Sequence, residues 1–374
     1  MKKNIRKLFI PAFFGILTIS LAIGACFSPY GEDEGTITIN VANSGRTAVE
    51  GPEILLLSYE VTLDGPGGRR TVSFTGNTAT VRVASGTYRI VVRAYGDRDY
   101  HSGKYDSFPP IMLRGRGVTT ADIRPGRSNN VSIPMITALE IFNGDQLKEA
   151  VDYAGSSAPE IFIIKGSFTA PTGMLELTGG NNITLIAEES RTINMSQFYF
   201  QVGSGGTLTL GQAGMGGTLY LDGGNTPYPN ALIRVAGGQL VMNDGVFLEN
   251  RTRSTGNVGG VQVTAATGGT FTMNGGTIRN NTLSGGMDSG GGVHSERLFY
   301  MNDGIISGNT SDAGGGGVHI GSGGSLIKTG GVIYGNDVPE PLRNKYDTIN
   351  SGAYAAMKDS GGTRNTTTWD SLTL

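Results

Sequence analysis

The sequence predicts an all-β protein: a β-sandwich of short strands, then a parallel β-helix that begins at a capping helix. Three observations predict it. Glycine supplies 61 of 374 residues while charged residues make up only 16%, a turn-rich balance with about twice the usual glycine share. Period-two stretches separated by turn residues fill the first third of the chain. A degenerate repeat of about 28 residues fills most of the rest.

The chain opens on KKNIRK, then LFIPAFFGILTISLAIGA, then Cys26. A basic segment, an apolar core and closing small residues are the layout of a secretory signal. Leu8 to Ala25 is 18 residues, just long enough to span a bilayer, so a plain anchor is the other reading; Pro11 interrupts it. Cys26 is the only cysteine and has no partner for an internal disulfide. Ile23-Gly24-Ala25-Cys26 resembles the lipobox at which bacterial lipoproteins are cleaved and diacylated. That resemblance implies a signal peptide at 1–25, a lipid on Cys26 and a flexible tether at 26–35. It places the protein in the bacterial cell envelope, on the surface or periplasmic face of the outer membrane. Cleavage removes Lys2, Lys3, Arg6 and Lys7 and no acids, making the chain more negative than its full-length net charge of −2. No basic stripe is visible, which argues against a nucleic-acid partner.

Residues 36–136 read as the sandwich. TITINV, LLLSYEVTL, TATVRV and YRIVVRAY alternate or form short apolar runs, with turns at GPGG, TGN and SGT between them. The hairpin TATVRVASGTYRIVVRAYG and the later Asn130-Val131-Ser132-Ile133 resemble Ig-like, transthyretin-like and carboxypeptidase-regulatory-like modules, which implies a spacer or binding role. Tyr30, Tyr95, Tyr100, Tyr105 and Phe108 are candidates for an aromatic sugar platform. Half-buried packing is the competing reading.

The β-helix is expected over 137–339. Leu147, Ala150, Val151 and Ala154 share one helical face, and Asn143 with Gln146 has the spacing of a capping box. A helix at about 144–156 would cover the open end of the core, where bare strand edges invite aggregation. The repeat aligns VMNDGVFLEN, TMNGGTIRNN, YMNDGIISGN and IKTGGVIYGN on Met242, Met273, Met301 and Lys328. Three places on stand Gly245, Gly276, Gly304 and Gly331, where turns need positive φ. Five places on stand Phe247, Ile278, Ile306 and Ile333. Eight places on stand Asn250, Asn281, Asn309 and Asn336, expected to form a row because stacked coils place equivalent residues about 4.8 Å apart. Asn243, Asn274 and Asn302 form another row, broken by Thr329. Phe271 and Met273 are expected to point inward. A Gly-Gly-Val element recurs at Gly259, Gly291 and Gly316.

The Gly-Gly-Val and Gly-x-Ile-x-x-Asn elements resemble the GGAI and FxxN repeats of bacterial polymorphic outer-membrane proteins, and short β-helix lipoproteins that share them. The resemblance implies a right-handed, single-stranded parallel β-helix, with 340–374 as a capping segment. About 35 residues follow the last repeat, fewer than a transmembrane barrel needs, so the implied anchor is the lipid.

Enzymatic β-helices must still be weighed. Asp244 and Asp303 occupy one repeat slot two coils apart, near the upper limit for an inverting glycosidase pair, although Asp-Gly is also a common turn pair. His294 and His319 follow the Gly-Gly-Val element and should stack, facing outward, near Glu296, Arg297 and Asp312. No acidic cluster, phosphate loop or metal motif is present, so no cofactor or metal is expected. Tyr199 or a neighbour in Phe198–Phe200 must face outward, as should Tyr220, Tyr228, Tyr300 and Tyr334. The sequence therefore favours a non-catalytic, adhesin-like rod that meets a glycan or a surface protein. A polysaccharide lyase or glycosidase is the alternative.

Overall fold

The computed structural model describes residues 34–346 apart from 42–55, 77, 98–104, 155–158, 213–215, 254–258, 285–289, 313 and 336, with the strand backbone of 356–358 and 364–365. Cys26, the leader, Tyr30, Tyr100 and Asn336 lie outside the described residues. The described chain is all-β with one short helix.

The N-terminal part is two sheets. One pairs Glu34–Val41 antiparallel with Thr78–Ala84 and parallel with Ser128–Ile133. The other runs Gly68–Phe74, Leu56–Gly65, Gly86–Asp97 and Ile111–Ile123, each antiparallel to the next. Alternation decides which side chains meet, and Ile37, Ile39, Val61, Leu63, Ile90 and Val92 belong to one shared core. The second sheet does not stop there. Ile136–Ile141 joins it antiparallel at Gly115 and Thr137 and pairs in parallel with Pro159–Ile164. The first coil of the β-solenoid is thus hydrogen-bonded directly to the sandwich sheet.

The helix spans Gly144–Asp152. The Asn143 side chain accepts the Gln146 N–H at 2.9 Å, while Gln146 Oε1 accepts the Phe142 N–H at 2.8 Å, a near relative of the capping box. Leu147, Ala150 and Val151 are buried, so the apolar face closes the core. The Glu149 carboxylate accepts the Asp106 and Ser107 backbone N–H groups, clasping the preceding loop to the helix. Tyr105 and Phe108 consequently belong to the solenoid core, their rings edge to face at 5.4 Å. They are packing residues, not a sugar platform. Tyr95 is half-buried against Leu113, Ala138 and Ile163 at the junction.

Three main parallel ladders build the described rod, beside a fourth of two-residue strands, Thr252–Arg253, Thr282–Leu283, Thr310–Ser311 and Lys345–Tyr346. The first includes Asn182–Ala187, Thr207–Leu210, Gln239–Met242, the opening halves of Thr270–Arg279 and Leu298–Ser307, and Ser325–Lys328. The second includes Arg191–Asn194, Leu219–Asp222, Val246–Glu249, the closing halves of the same two long strands, and Val332–Ile333. The third includes Gly173–Leu177, Phe198–Gly203, Ile233–Ala236, Val261–Val263, Val293–Ser295 and Val318–Ile320. Equivalent side chains stack into columns. Leu240, Phe271, Phe299 and Leu326 form one column, with the two phenyl rings 4.7 Å apart and nearly parallel. Met242, Met273, Met301 and Lys328 form the next.

One column differs from the sequence expectation. Leu248, not Phe247, stacks on Ile278 and Ile306. Met242 and Met273 are in register, yet the bend Asn243–Gly245 holds one residue more than its counterpart. That residue splits this coil into two strands where the next coil has one bent strand, and a single-residue slip turns Phe247 outward.

The junction between sandwich and rod also carries an ion cluster. Glu188 pairs with Arg93, with Arg116 at 3.7 Å and with Lys165 at 3.7 Å. Burial pushes the Glu188 carboxyl up, but Arg93, Lys165 and Arg116 outweigh it and hold the group below its usual range. Burial lowers the Arg116 guanidinium to about 10 against the pull of Glu188.

Two outcomes are expected. Leu248→Ala should lower unfolding stability by about 3 kcal/mol, and Phe247→Ala by no more than about 1.5 kcal/mol, read from denaturant midpoints; equal losses would contradict the assigned register. The depressed Glu188 group stabilises the fold fully above its unfolded value of 4.5, and that contribution is lost as pH falls through the lower folded value. The stability gap between the wild type and Glu188→Gln should therefore be wide at neutral pH and narrow in acid.

Candidate functional site

The asparagine row is a buried ladder, shifted by one residue from its expected start. Asn281 Oδ1 accepts the Arg251 N–H, Asn309 Oδ1 accepts the Asn281 N–H and Asn344 Oδ1 accepts the Asn309 N–H, each at 3.0 Å. The amide nitrogens donate to the carbonyls of Leu248, Ile278 and Ile306. Every rung thus serves a turn N–H and a strand C=O that the sheets leave over. Asn250 is not a rung, because the extra bend residue places Arg251 there. Asn250 and Asn280 instead adopt left-handed φ of 57° and 55°, which Asn tolerates better than most residues. Asn344 replaces the expected Asn336 at the far end of the described row. The Gly-Gly-Val element follows from the ladder: a Cβ on Gly260 or Gly292 would lie 3.2 or 2.9 Å from the Asn281 or Asn309 amide, and closer still to a carbonyl. These glycines serve close approach, whereas Gly276 has a φ of 81°.

Arg251 is fully buried. Its guanidinium donates to the carbonyls of Met195, Ser196 and Phe198 and lies 5.0 Å from the Tyr228 ring. Burial lowers it to about 10, with Tyr228 opposing. An exposed second row runs beside the bends: Asn274 Nδ2 donates to Asn243, Asn302 Nδ2 to Asn274, and Thr329 Oγ1 to Asn302. Thr329 continues this row where the sequence suggested a break.

The catalytic candidates do not converge. Asp244 Oδ1 accepts the Gly276 N–H and Asp303 Oδ1 accepts the Gly304 N–H, so both carboxylates hold bends. A Cβ on Gly275 would lie 2.0 Å from Asp244 Oδ1, which explains glycine in that slot. His294 and His319 are in register on the third ladder, with ring centroids 5.2 Å apart. Both leave the sheet on its outer side, as their alternation requires, but both are buried rather than exposed. Gly321 leaves space there: a Cβ would meet Glu296 Cγ at 3.2 Å and His294 Cε1 at 3.3 Å. Arg297 Nε donates to the Ala265 carbonyl. Further along the same outer column, Gln201 Nε2 donates to Glu176 and Arg234 Nη1 to Gln201. Among the described residues no group of three potential metal ligands is assembled, and no helix is long and apolar enough to cross a membrane.

The outer face of the second ladder is the stronger candidate. Tyr220 stacks on Phe247 at 4.9 Å, and the Arg279 guanidinium covers Phe247 at 4.6 Å while pairing with Glu249. The rings therefore stack along the rod axis and present edges to solvent, not open faces. Beside them lies an open groove of about 380 Å³, lined by Phe247, Arg279, Ile305, Tyr334 and Leu342 among others. Ile305 and Leu342 are exposed. Tyr199 faces outward between buried Phe198 and Phe200. The sequence signal found Tyr220 and Tyr334; it missed Phe247 and Arg279 because the register slip is invisible in the repeat.

Comparison with protein-family models, curated proteins and solved structures finds no match to this chain.

Asn309→Ala strips partners from the buried Asn281 N–H and Ile278 C=O, so stability should fall by about 3 kcal/mol. Asn274→Ala on the exposed row should cost less than about 1 kcal/mol. Thermal and urea unfolding of both variants checks the order; a reversed order would refute the buried ladder as the main tie.

Proposed function

We propose that this chain is a lipid-anchored protein of the bacterial cell envelope, a right-handed β-helix rod that presents one outer face to a ligand and carries out no reaction. The observation that carries the reading is the second-ladder face, where Tyr220, Phe247, Ile305 and Tyr334 stand beside an open groove. Aromatic edges and aliphatic surface next to paired polar groups suit a glycan or a surface protein. The groups a lyase or glycosidase would use are engaged in structure: Asp244 and Asp303 in bends, His294 and His319 buried. The lipobox at Cys26 supports the anchor, and the transthyretin-like resemblance of the sandwich supports a spacer between lipid and rod. The likeness of the repeats to polymorphic outer-membrane proteins supports an outer-membrane place.

The test is retention of soluble residues 27–374 on immobilised host and bacterial polysaccharides, with polysaccharide length recorded before and after. Retention without shortening is expected, and the Ile305→Asp, Tyr334→Ala double variant should lose it. Shortening that survives in that variant and disappears in His294→Ala or Asp303→Asn would overturn the proposal in favour of an enzyme. For the anchor, Cys26→Ser should move the full chain from the detergent phase to the aqueous phase; unchanged partition would refute lipidation.

A further inference from the structure

We propose that the outer face of the first ladder is a second binding surface, which lies flat on a layer of uncharged polysaccharide chains packed side by side. It is separate from the groove beside Phe247 and does not rest on that site. Its strands run from Asn182–Ala187 to Ser325–Lys328 in continuous parallel register. At about 4.8 Å per step, the five steps between them make a face about 24 Å long. Two outward columns stand on it. One passes from Asn182 through Thr207, Gln239 and Thr270 to Ser325, the other from Thr184 through Thr209, Thr272 and Tyr300 to Ile327. Leu298, in the first column, and Ile327 are 39% and 42% exposed, and Gln239 is exposed as well, so this face meets solvent.

Neither column holds a charged residue. The other two outer faces do: Asp222, Glu249 and Arg279 on the second ladder, Glu176 and Arg234 on the third. An ionised ligand on the first ladder would lose water and meet no counter-charge. The hydroxyls of Thr184, Thr207, Thr209 and Thr272 make no hydrogen bond within the described residues. Each threonine thus offers a donor, an acceptor and a methyl group outward. Sugar rings present the matching pair, hydroxyl edges and apolar C–H faces. The two columns hold one aromatic residue and no arginine, whereas protein interfaces gather both. Sites for small ligands are concave, but short parallel strands in register make a ridged plane. What fits a plane is another plane, whose many weak contacts add up over the layer.

The experiment measures depletion of residues 27–374 from solution by cellulose particles and by chitin particles. Wild type should be retained on one or both, equally well in low salt and in about 1 M salt, because no charge takes part. Gln239→Glu and Gln239→Arg, changes at an exposed position, should each weaken retention roughly tenfold. The Thr209→Glu, Thr272→Glu double variant should abolish it, with urea midpoints as the check on folding; if that variant unfolds, the Gln239 pair decides. The Ile305→Asp, Tyr334→Ala variant should bind the particles like wild type while losing single immobilised chains, so failure of one site is read apart from failure of the other. The proposal is overturned if wild type stays in solution with both particles, or if either Gln239 variant binds as well as or better than wild type. It is equally overturned if Ile305→Asp, Tyr334→Ala abolishes retention on the particles.

Discussion

The later coils of the rod depend on where their turn backbone finds its hydrogen bonds. A parallel coil bends sharply between ladders, and each bend leaves main-chain groups that no neighbouring strand can reach. In the later coils the buried asparagine ladder, Asn281, Asn309 and Asn344, meets that demand with one side chain each. Each amide oxygen takes a turn N–H from the coil before, and each amide nitrogen reaches a strand carbonyl on the same side. Because every rung spans two coils, register along the axis is fixed by polar geometry as well as by apolar columns. The Gly-Gly pairs follow, since an amide occupies the space a Cβ would need.

The ladder also has to begin and end. At its start Arg251 takes the rung position with its backbone N–H, and its buried side chain bonds three carbonyls of the turn at 195–198. One long cation thereby serves groups for which earlier coils have no asparagine. At the other described end Asn344 bonds the carbonyls of both Ile306 and Tyr334. At its first coil the core is closed by a helix clasped by Glu149.

This arrangement bears on function by deciding which charges are free to act. Glu188, Arg93 and Arg116 join sandwich to rod, so the first part of the chain and the solenoid share a continuous sheet and an ion cluster. Asp244 and Asp303 shape bends. The second-ladder face, where aromatic edges and exposed aliphatic groups border a groove, is the surface on which the proposed function rests.

The sequence by itself determined the solenoid. Apolar residues at fixed offsets, glycine at the positive-φ bends and a recurring asparagine are local requirements, and each is legible in one repeat copy at a time. The capping helix was legible for the same reason, from Asn143, Gln146 and one apolar face. Tertiary structure alone decided the register between copies. One extra residue before Val246 moved Asn250 off the ladder, put Arg251 in its place and turned Phe247 outward, because strand alternation converts a single-residue slip into a change of face. It also decided that Tyr105 and Phe108 pack in the rod and that His294 and His319 are buried. Those fates depend on contacts between residues far apart in the chain, and no periodicity in the sequence encodes them.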